Sequence, residues 1–596
     1  MKKGRLRFIL GFAIWFVLSS FFYVSANILY QVDLTTPTHQ LAFIKVSFPK
    51  TRGQLRVNLP VWRIGKYQRL ALADGIRLFK AKDKYGFELK TEYKGNGEWI
   101  VYLPNPTKVM VSYQLHANAL ANRVRHIDET HAFLDASGVF VYSPEYRDMP
   151  VQVALDVADD WKSYSGMAQD HTPHHFFADN YDALIDSPIE TGINSLVSFT
   201  ANEIGYDILV WGEGNYNLTQ IKKDLALLSE QASYIWQGYP FQRYLYMLHA
   251  TSGIRGATEH INSSIIQVPR FKFKQRQDYL RFMATASHEF IHAWNVKAYR
   301  AKGLVPYHYQ NSNISELLWM VEGSTSYFQY QLLLKAGIVT LDEFLADLAK
   351  RIEKSLNRPG REVQSIAEAS QRQWESSHGD YAINHGVSIY SEGYMTSWAL
   401  DFNLLSSSKL KSSYRDVHRL LYRDYALPKS YDVDDVQKIL FDLTGKDYQG
   451  WWRKYVNSPI RINYRGLLKQ AGLKIDYGKS NKKPFTGLTL NSNSLKVATV
   501  LKDSPAWQAG INVDDELVAI NGLKITYDSF NKRISDFKPN DKIKITLFKN
   551  DSLAEKQLIL GNKFAEKLTI KPIKNPTNAQ KQFFVVWLGI DWPFEG

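Results

Sequence analysis

From Tyr30 to Asp170 the chain moves in short runs, among them "LAFIKVSF", "QLRVNLPVWRI", "EWIVYLP", "KVMVSYQLHA" and "PVQVALDV", each bounded by Pro, Gly or Asn. They are rich in Val, Ile, Tyr and Phe and lack helical spacing, the mark of strands. This predicts an antiparallel β domain over 27–204. After Asn202 apolar residues recur every three and four positions, as in "NLTQIKKDLALLSEQASYIWQGY", "QDYLRFMATASHEFIHAWN", "SELLWMVEGSTSYFQYQLLLKAG" and "YSEGYMTSWALDFNLL". A mostly helical domain over 205–476 is expected from that change of period. A polar, basic linker, "YGKSNKKPF" (Tyr477 to Phe485), precedes a return to short strands over 484–562. A tail over 563–596 carries one short helix, "NAQKQFFVVWLG". The fold class expected is multidomain α+β.

Length and composition agree with this division. A chain of 596 residues is too long for one hydrophobic core. With 45% hydrophobic and 14% aromatic residues, long disorder is excluded. The formal charge of +14 is concentrated at the two ends. Met1 to Arg7 holds four basic residues and no acid, and Lys474 to Gly596 holds 19 basic against 13 acidic residues. The large middle region is therefore nearly neutral, and a nucleic-acid partner is set aside.

The basic start is followed by an apolar run from Phe8 to Val24 and by Val24-Ser25-Ala26, small residues suited to a cleavage site. Residues 1–26 read as a secretory signal cut after Ala26, with an uncleaved membrane anchor as the alternative because the run is long. In both cases the protein is expected outside the cytoplasm, in the periplasm or cell envelope, touching membrane only through this segment. Cysteine is absent, which excludes disulfides and thiolate chemistry. A metal would have to be held by nitrogen and oxygen.

One stretch suits such a metal. In "ATASHEFIHAWNVK", His288 and His292 are four residues apart on a predicted helix, so both face one way. Two imidazoles at that spacing can share a tetrahedral ion, and Glu289 beside the first can reach a water on it. A catalytic zinc needs a third protein ligand and one open position. Glu322 in "LLWMVEGSTSYFQYQ" is the best candidate, since a carboxylate on an otherwise apolar helix needs a cation nearby.

"HEFIHAWNVK" followed by "LLWMVEGSTSYF" resembles the glycyl aminopeptidase family, PDZ-containing gluzincin metallopeptidases whose catalytic domain is thermolysin-like. "NLPVWRIGKY", "IYSEGYMTSWALDF" and "LLKQAGLKI" extend the resemblance over nearly all of the chain after the signal. It implies one zinc ion held by His288, His292 and Glu322, with Glu289 as general base and Tyr390 as the hydroxyl that stabilises the oxyanion. Tyr394, four residues on, is the fallback; read from its helix alone it is a core aromatic. "RGATEHINS" matches the edge that captures the substrate's α-amine, with Glu259 as the amine binder and Gly256 and Ala257 beside the substrate. Activity on peptides with a free N-terminus is implied, on small Gly or Ala-type first residues. Ala257 and Thr258 depart from the family's pattern, however, and leave the first-pocket preference open. Glu392 stands where the family commonly has lysine; its side chain points away from zinc or else raises the pKa of Tyr390. Ser326 stands where an orienting acid is common, so support for the histidines must come from a hydroxyl or from elsewhere.

"SPAWQAGINVDDELVAINGLKI" resembles the PDZ domains of exported proteases, which bind extended peptides by strand addition. The carboxylate-binding loop would be Phe485-Thr486-Gly487-Leu488, receiving a peptide C-terminus, unless the module is only a structural lid. The leading expectation is an exported zinc aminopeptidase. A PDZ-guided zinc endopeptidase in envelope protein quality control and a non-catalytic peptide-binding protein are the rivals.

Overall fold

The computed structural model describes residues 28–375, 378–477, 482–564 and 568–594. The signal or anchor segment expected over 1–26 lies outside the described residues.

The N-terminal region is built on two long strands, Leu41–Asn58 and Glu98–His116, paired antiparallel at the centre of a nine-stranded sheet. Ala42, Ile44, Val46 and Phe48 turn inward while Phe43 and Lys45 face solvent, the alternation of a sheet covered on one side. A four-stranded sheet (Lys162–Ser165, Ile189–Gly192, His131–Leu134, Arg125–Ile127) completes this part.

The boundary expected at 204 falls inside a sheet. Ser195–Ala201 and Ile204–Trp211 form a hairpin that continues through Arg243–Thr251 and Ser263–Pro269 to the outer strand Gly256–Glu259. The last of these, antiparallel to Ser263–Pro269, is called the edge strand below. The first quarter of the region expected to be mostly helical thus carries four strands beside the α-helix Leu218–Glu230. "RYLYMLHAT" is buried on every residue after Arg243, and a parallel strand buried on both faces shows no alternation to read.

The helices follow. Arg276–His292, the motif helix, lies against the edge strand and against the helix Ser324–Lys335. A π-helical turn at Trp319–Gly323 precedes the latter, and Ser391–Ser407, the tyrosine helix, crosses that turn.

The C-terminal module has a hydrophobic core of its own, including Val497, Ile520, Phe530 and Leu547. Lys482–Phe485 is a strand paired with Gly561–Phe564, so half of the expected linker is structured. The module is an insertion. Leu473–Asp476 pairs directly with Thr569–Pro572, and the closing helix Asn578–Leu588 buries Phe583, Phe584, Trp587 and Leu588 in the main core. Residues 563–596 are therefore no free tail: from Leu568 on, they complete the catalytic domain.

Candidate active site

The motif helix places the rings of His288 and His292 side by side, centroids 4.6 Å apart. Their Nε2 atoms each lie 3.4 Å from Glu322 Oε2 on the π turn. Two ligands of one tetrahedral zinc with bonds of 2.0–2.1 Å stand about 3.3 Å apart. The spacing therefore fits a shared ion rather than direct hydrogen bonds. The outer nitrogens are engaged: His288 Nδ1 with Gln329 Oε1 at 2.9 Å, His292 Nδ1 with the Asn295 carbonyl at 2.8 Å. Each contact turns the ring so that Nε2 points inward. With Ser326 in place of the orienting acid, the support for His288 comes from elsewhere, from Gln329, two turns past Glu322 on the same run of helix. Tyr67 of the N-terminal region donates to Glu322 Oε1 at 3.0 Å.

A second cluster, His131, Glu190 and His249, is fully buried but differs in geometry. Glu190 stands 2.7 Å from His131 Nδ1 and 2.9 Å from His249 Nε2, hydrogen-bond lengths too short for two ligands of one zinc. Burial pushes His131 down to about 4 and His249 down to about 3, so both rings are neutral donors to the carboxylate. The donor set that fits zinc is His288, His292 and Glu322.

Asn295 explains part of "HAWNVK". Its Nδ2 lies 3.0 Å from the carbonyls of Met320 and Val321 and from the hydroxyls of Ser324 and Thr325, holding the turn that carries Glu322. Val296, at φ 109, is β-branched in the left-handed region, a strained residue next to the site. Lys297 Nζ meets Asp186 Oδ1 at 2.5 Å, and Asp186 also accepts from Ile261 N at 3.1 Å. The end of the motif segment is thereby tied to the loop after the edge strand.

The other predicted residues gather around this centre. Burial pushes the Glu289 carboxyl up to about 8; Glu259 and Glu322 add to the rise, while His288 and Arg123 oppose it. Burial also works against the charge of Glu322, but the adjacent histidines outweigh it and hold that carboxyl far below its usual value. Tyr390 caps the tyrosine helix at the rim, 38% exposed, its ring 6.1 Å from that of His288. Desolvation in the cleft, and then the charges of Glu322, Glu259 and Glu289, keep its phenol protonated. Tyr394 is a core aromatic, edge-on to Tyr327 and covered by Arg351. Glu392 points away from the site: it is buried, and its Oε2 accepts from Ser355 at 3.0 Å.

Glu259 is 4% exposed, and its Oε1 has no hydrogen-bond partner among the described residues. Gly65 of the N-terminal region, at φ 77, packs onto this carboxylate so closely that a Cβ there would collide with it. Gly256 and Ala257 lie on the same edge strand; Gly256 leaves room for the guanidinium of Arg123. Beside Tyr390 opens a cleft of about 510 Å³, lined by Arg358, Tyr381, Ala382 and His385 among others. Gly487 and Leu488 belong to the separate C-terminal module, where Gly487, at φ 81, packs against Ser504. Tyr67, Arg123, Asn295 and Gln329 were not singled out in the sequence. Tyr67, Asn295 and Gln329 lay in stretches that carried a signal, Arg123 in none.

A β-rich N-terminal region, a catalytic domain with a His-His-Glu zinc centre and a third module with a core of its own define a zinc-dependent metallopeptidase. Residues 29–193 match the Peptidase M61 N-terminal domain, 281–396 the M61 glycyl aminopeptidase and 496–535 a PDZ domain. These matches, to the M61 glycyl aminopeptidase family and to a PDZ domain, are those of a PDZ-containing gluzincin, and the chain is a zinc-dependent aminopeptidase. It is similar in fold to an aminopeptidase N family protein from Idiomarina loihiensis, 24% identical, at a TM-score of 0.87 over 94% of this chain and 100% of that one. A mutant of the M1 zinc metallopeptidase from Deinococcus radiodurans, 10% identical, overlaps at a TM-score of 0.48 over 73% of this chain and 94% of that one. No curated protein matches.

Proposed function

We propose that the enzyme is an exopeptidase, releasing the first residue of peptides whose free α-amine rests on Glu259. The observation that carries this is the Glu259 carboxylate itself, buried on the edge strand with an oxygen left unpartnered. A buried carboxylate oxygen with no donor is costly, and an α-ammonium brings N–H donors and charge to it. His288, His292 and Glu322 would hold the zinc ion, which when bound supplies Lewis-acid polarisation of water and of the scissile carbonyl. Glu289 takes the proton that the attacking water gives up and hands it to the leaving amine nitrogen. The Tyr390 hydroxyl donates to the oxygen that gains charge at the tetrahedral carbon. Gly65 and Tyr67 close the cleft over Glu259 and Glu322 and exclude water from them.

The PDZ module is the second contact for peptide. The edge of Leu488–Leu490 not taken up by Val497–Val500 has no strand partner among the described residues, which supports strand addition there with a C-terminal carboxylate at Gly487 and Leu488. The basic and apolar start of the chain supports export to the periplasm or envelope.

Free and N-acetylated alanyl anilides test the reading. The native enzyme should cleave only the free form and stop when zinc is chelated. Glu259→Gln should lose roughly 2–4 kcal/mol of kcat/KM on free amines, the range for one member of a buried charge pair. Equal cleavage of acetylated substrate would overturn the exopeptidase and leave a PDZ-guided endopeptidase.

A further inference from the structure

Three cations from the N-terminal region stand beside the edge strand. Arg63 is 2% exposed; its Nε donates to the Asn122 carbonyl at 2.8 Å and its Nη1 to the Ile64 carbonyl at 2.9 Å. Lys66 Nζ donates to Asn122 Oδ1 at 3.0 Å. Arg123 donates from Nε to Thr258 Oγ1 at 3.1 Å and from Nη1 to the Ala121 carbonyl at 3.2 Å. All of these partners are neutral oxygens. Among the described residues none of the three cations has a carboxylate oxygen within 4.0 Å. Burial, and then their mutual repulsion, lowers the pKa of Lys66 and brings Arg123 down to about 10.

Arg123 ties the cluster to the edge strand through Gly256 and Thr258. The acids acting on Arg123 are Glu289 and Glu259, and those acting on Arg63 are led by Glu259. Arg123 lies across the strand at Gly256, where a Cβ would collide with its Nη1, and binds Thr258, the residue before Glu259. Its backbone is fixed too: at φ 54 it closes the 3-10 turn Leu120–Asn122, its amide donating to the Leu120 carbonyl at 3.0 Å. A guanidinium so placed is preorganised for an anion beside the amine site. A first residue whose α-amine rests on Glu259 has its own side chain next to Arg123. Only aspartate and glutamate put a carboxylate there on a short methylene stem.

We propose that Arg123, backed by Arg63 and Lys66, receives the side-chain carboxylate of an acidic first residue. The enzyme then takes N-terminal glutamate or aspartate ahead of small neutral residues, against the Gly or Ala preference that the family resemblance implied. The proposal rests on the reading of Glu259 as the amine binder.

Glutamyl and glutaminyl anilides differ by one charge at equal shape, so their ratio of kcat/KM isolates the contact. The zinc enzyme should favour glutamyl by more than 10-fold, Arg123→Lys should keep part of that ratio, and Arg123→Met should bring it close to one. Calorimetry with free glutamate and glutamine on Glu289→Gln provides a readout without turnover, and glutamate should bind at least 10-fold tighter. A native ratio near one, or a ratio unchanged in Arg123→Met, overturns the proposal while leaving an aminopeptidase in place. Should Arg123→Met fail to fold, the native ratio and Arg123→Lys still decide. No cleavage of any free-amine anilide would instead overturn the aminopeptidase reading beneath it.

Discussion

His288 depends on a neutral neighbour for its orientation. Gln329 Oε1 can only accept from Nδ1–H, which fixes the tautomer that leaves Nε2 free for zinc. Removing such a support typically costs 10–100-fold in metal affinity. Gln329→Ala should weaken zinc binding by about that factor, while Gln329→Glu, which restores an acceptor and adds charge, should recover it. Competition with a chromophoric chelator measures both. The ligands themselves were legible in the sequence, because four-residue spacing on a helix dictates a shared face. Gln329 was not, since it lies two turns beyond Glu322 on a stretch that also reads as plain core. Tyr67 reaches Glu322 across 255 positions of sequence, a distance that no local pattern spans.

At the scale of elements, the site depends on two helices crossing without side chains between them. A Cβ on Gly393 would lie 2.9 Å from Gly323 Cα and 3.0 Å from the Trp319 carbonyl. The tyrosine helix therefore sits directly on the π turn that carries Glu322, three residues after Tyr390. Gly393→Ala should cost about 1–3 kcal/mol as overpacking. Its loss of kcat should exceed what that destabilisation explains, because the helix that carries Tyr390 must shift. Gly450→Ala is the control: no atom lies within 4 Å of the added methyl, and in the first turn of the helix Gln449–Tyr455 the change should leave stability level or slightly raised. Thermal melts and anilide turnover on the two variants separate packing from propensity. Helical spacing revealed both helices but not the π turn, which Asn295 holds from 25 residues away. It also hid the five-stranded sheet, whose strands Arg243–Thr251 and Ser263–Pro269 are buried on both faces and so show no alternation.

For the whole molecule, the PDZ module is both inserted and clamped. Asn384, on the helix Gly379–His385 that walls the cleft, donates to the Val500 carbonyl and accepts from Lys502 N, each at 2.8 Å, and Asp380 accepts from Val500 N at 2.6 Å. Since Asp476 and Thr569 are paired, joining 477 to 568 through a short loop should leave a soluble, folded enzyme that still cleaves amino-acid anilides. Ending the chain at Tyr477 should instead give an insoluble, inactive product, because the partners of Trp587 and Phe583, Trp398 and Phe402 among them, lose their cover. Yield, melting temperature and turnover on the two proteins decide the point. The pairing of Leu473–Asp476 with Thr569–Pro572 also bears on timing. The catalytic core cannot close until Thr569–Pro572 and the helix Asn578–Leu588 have been synthesised. A nascent chain, however far its zinc motif has emerged, does not yet carry a finished protease.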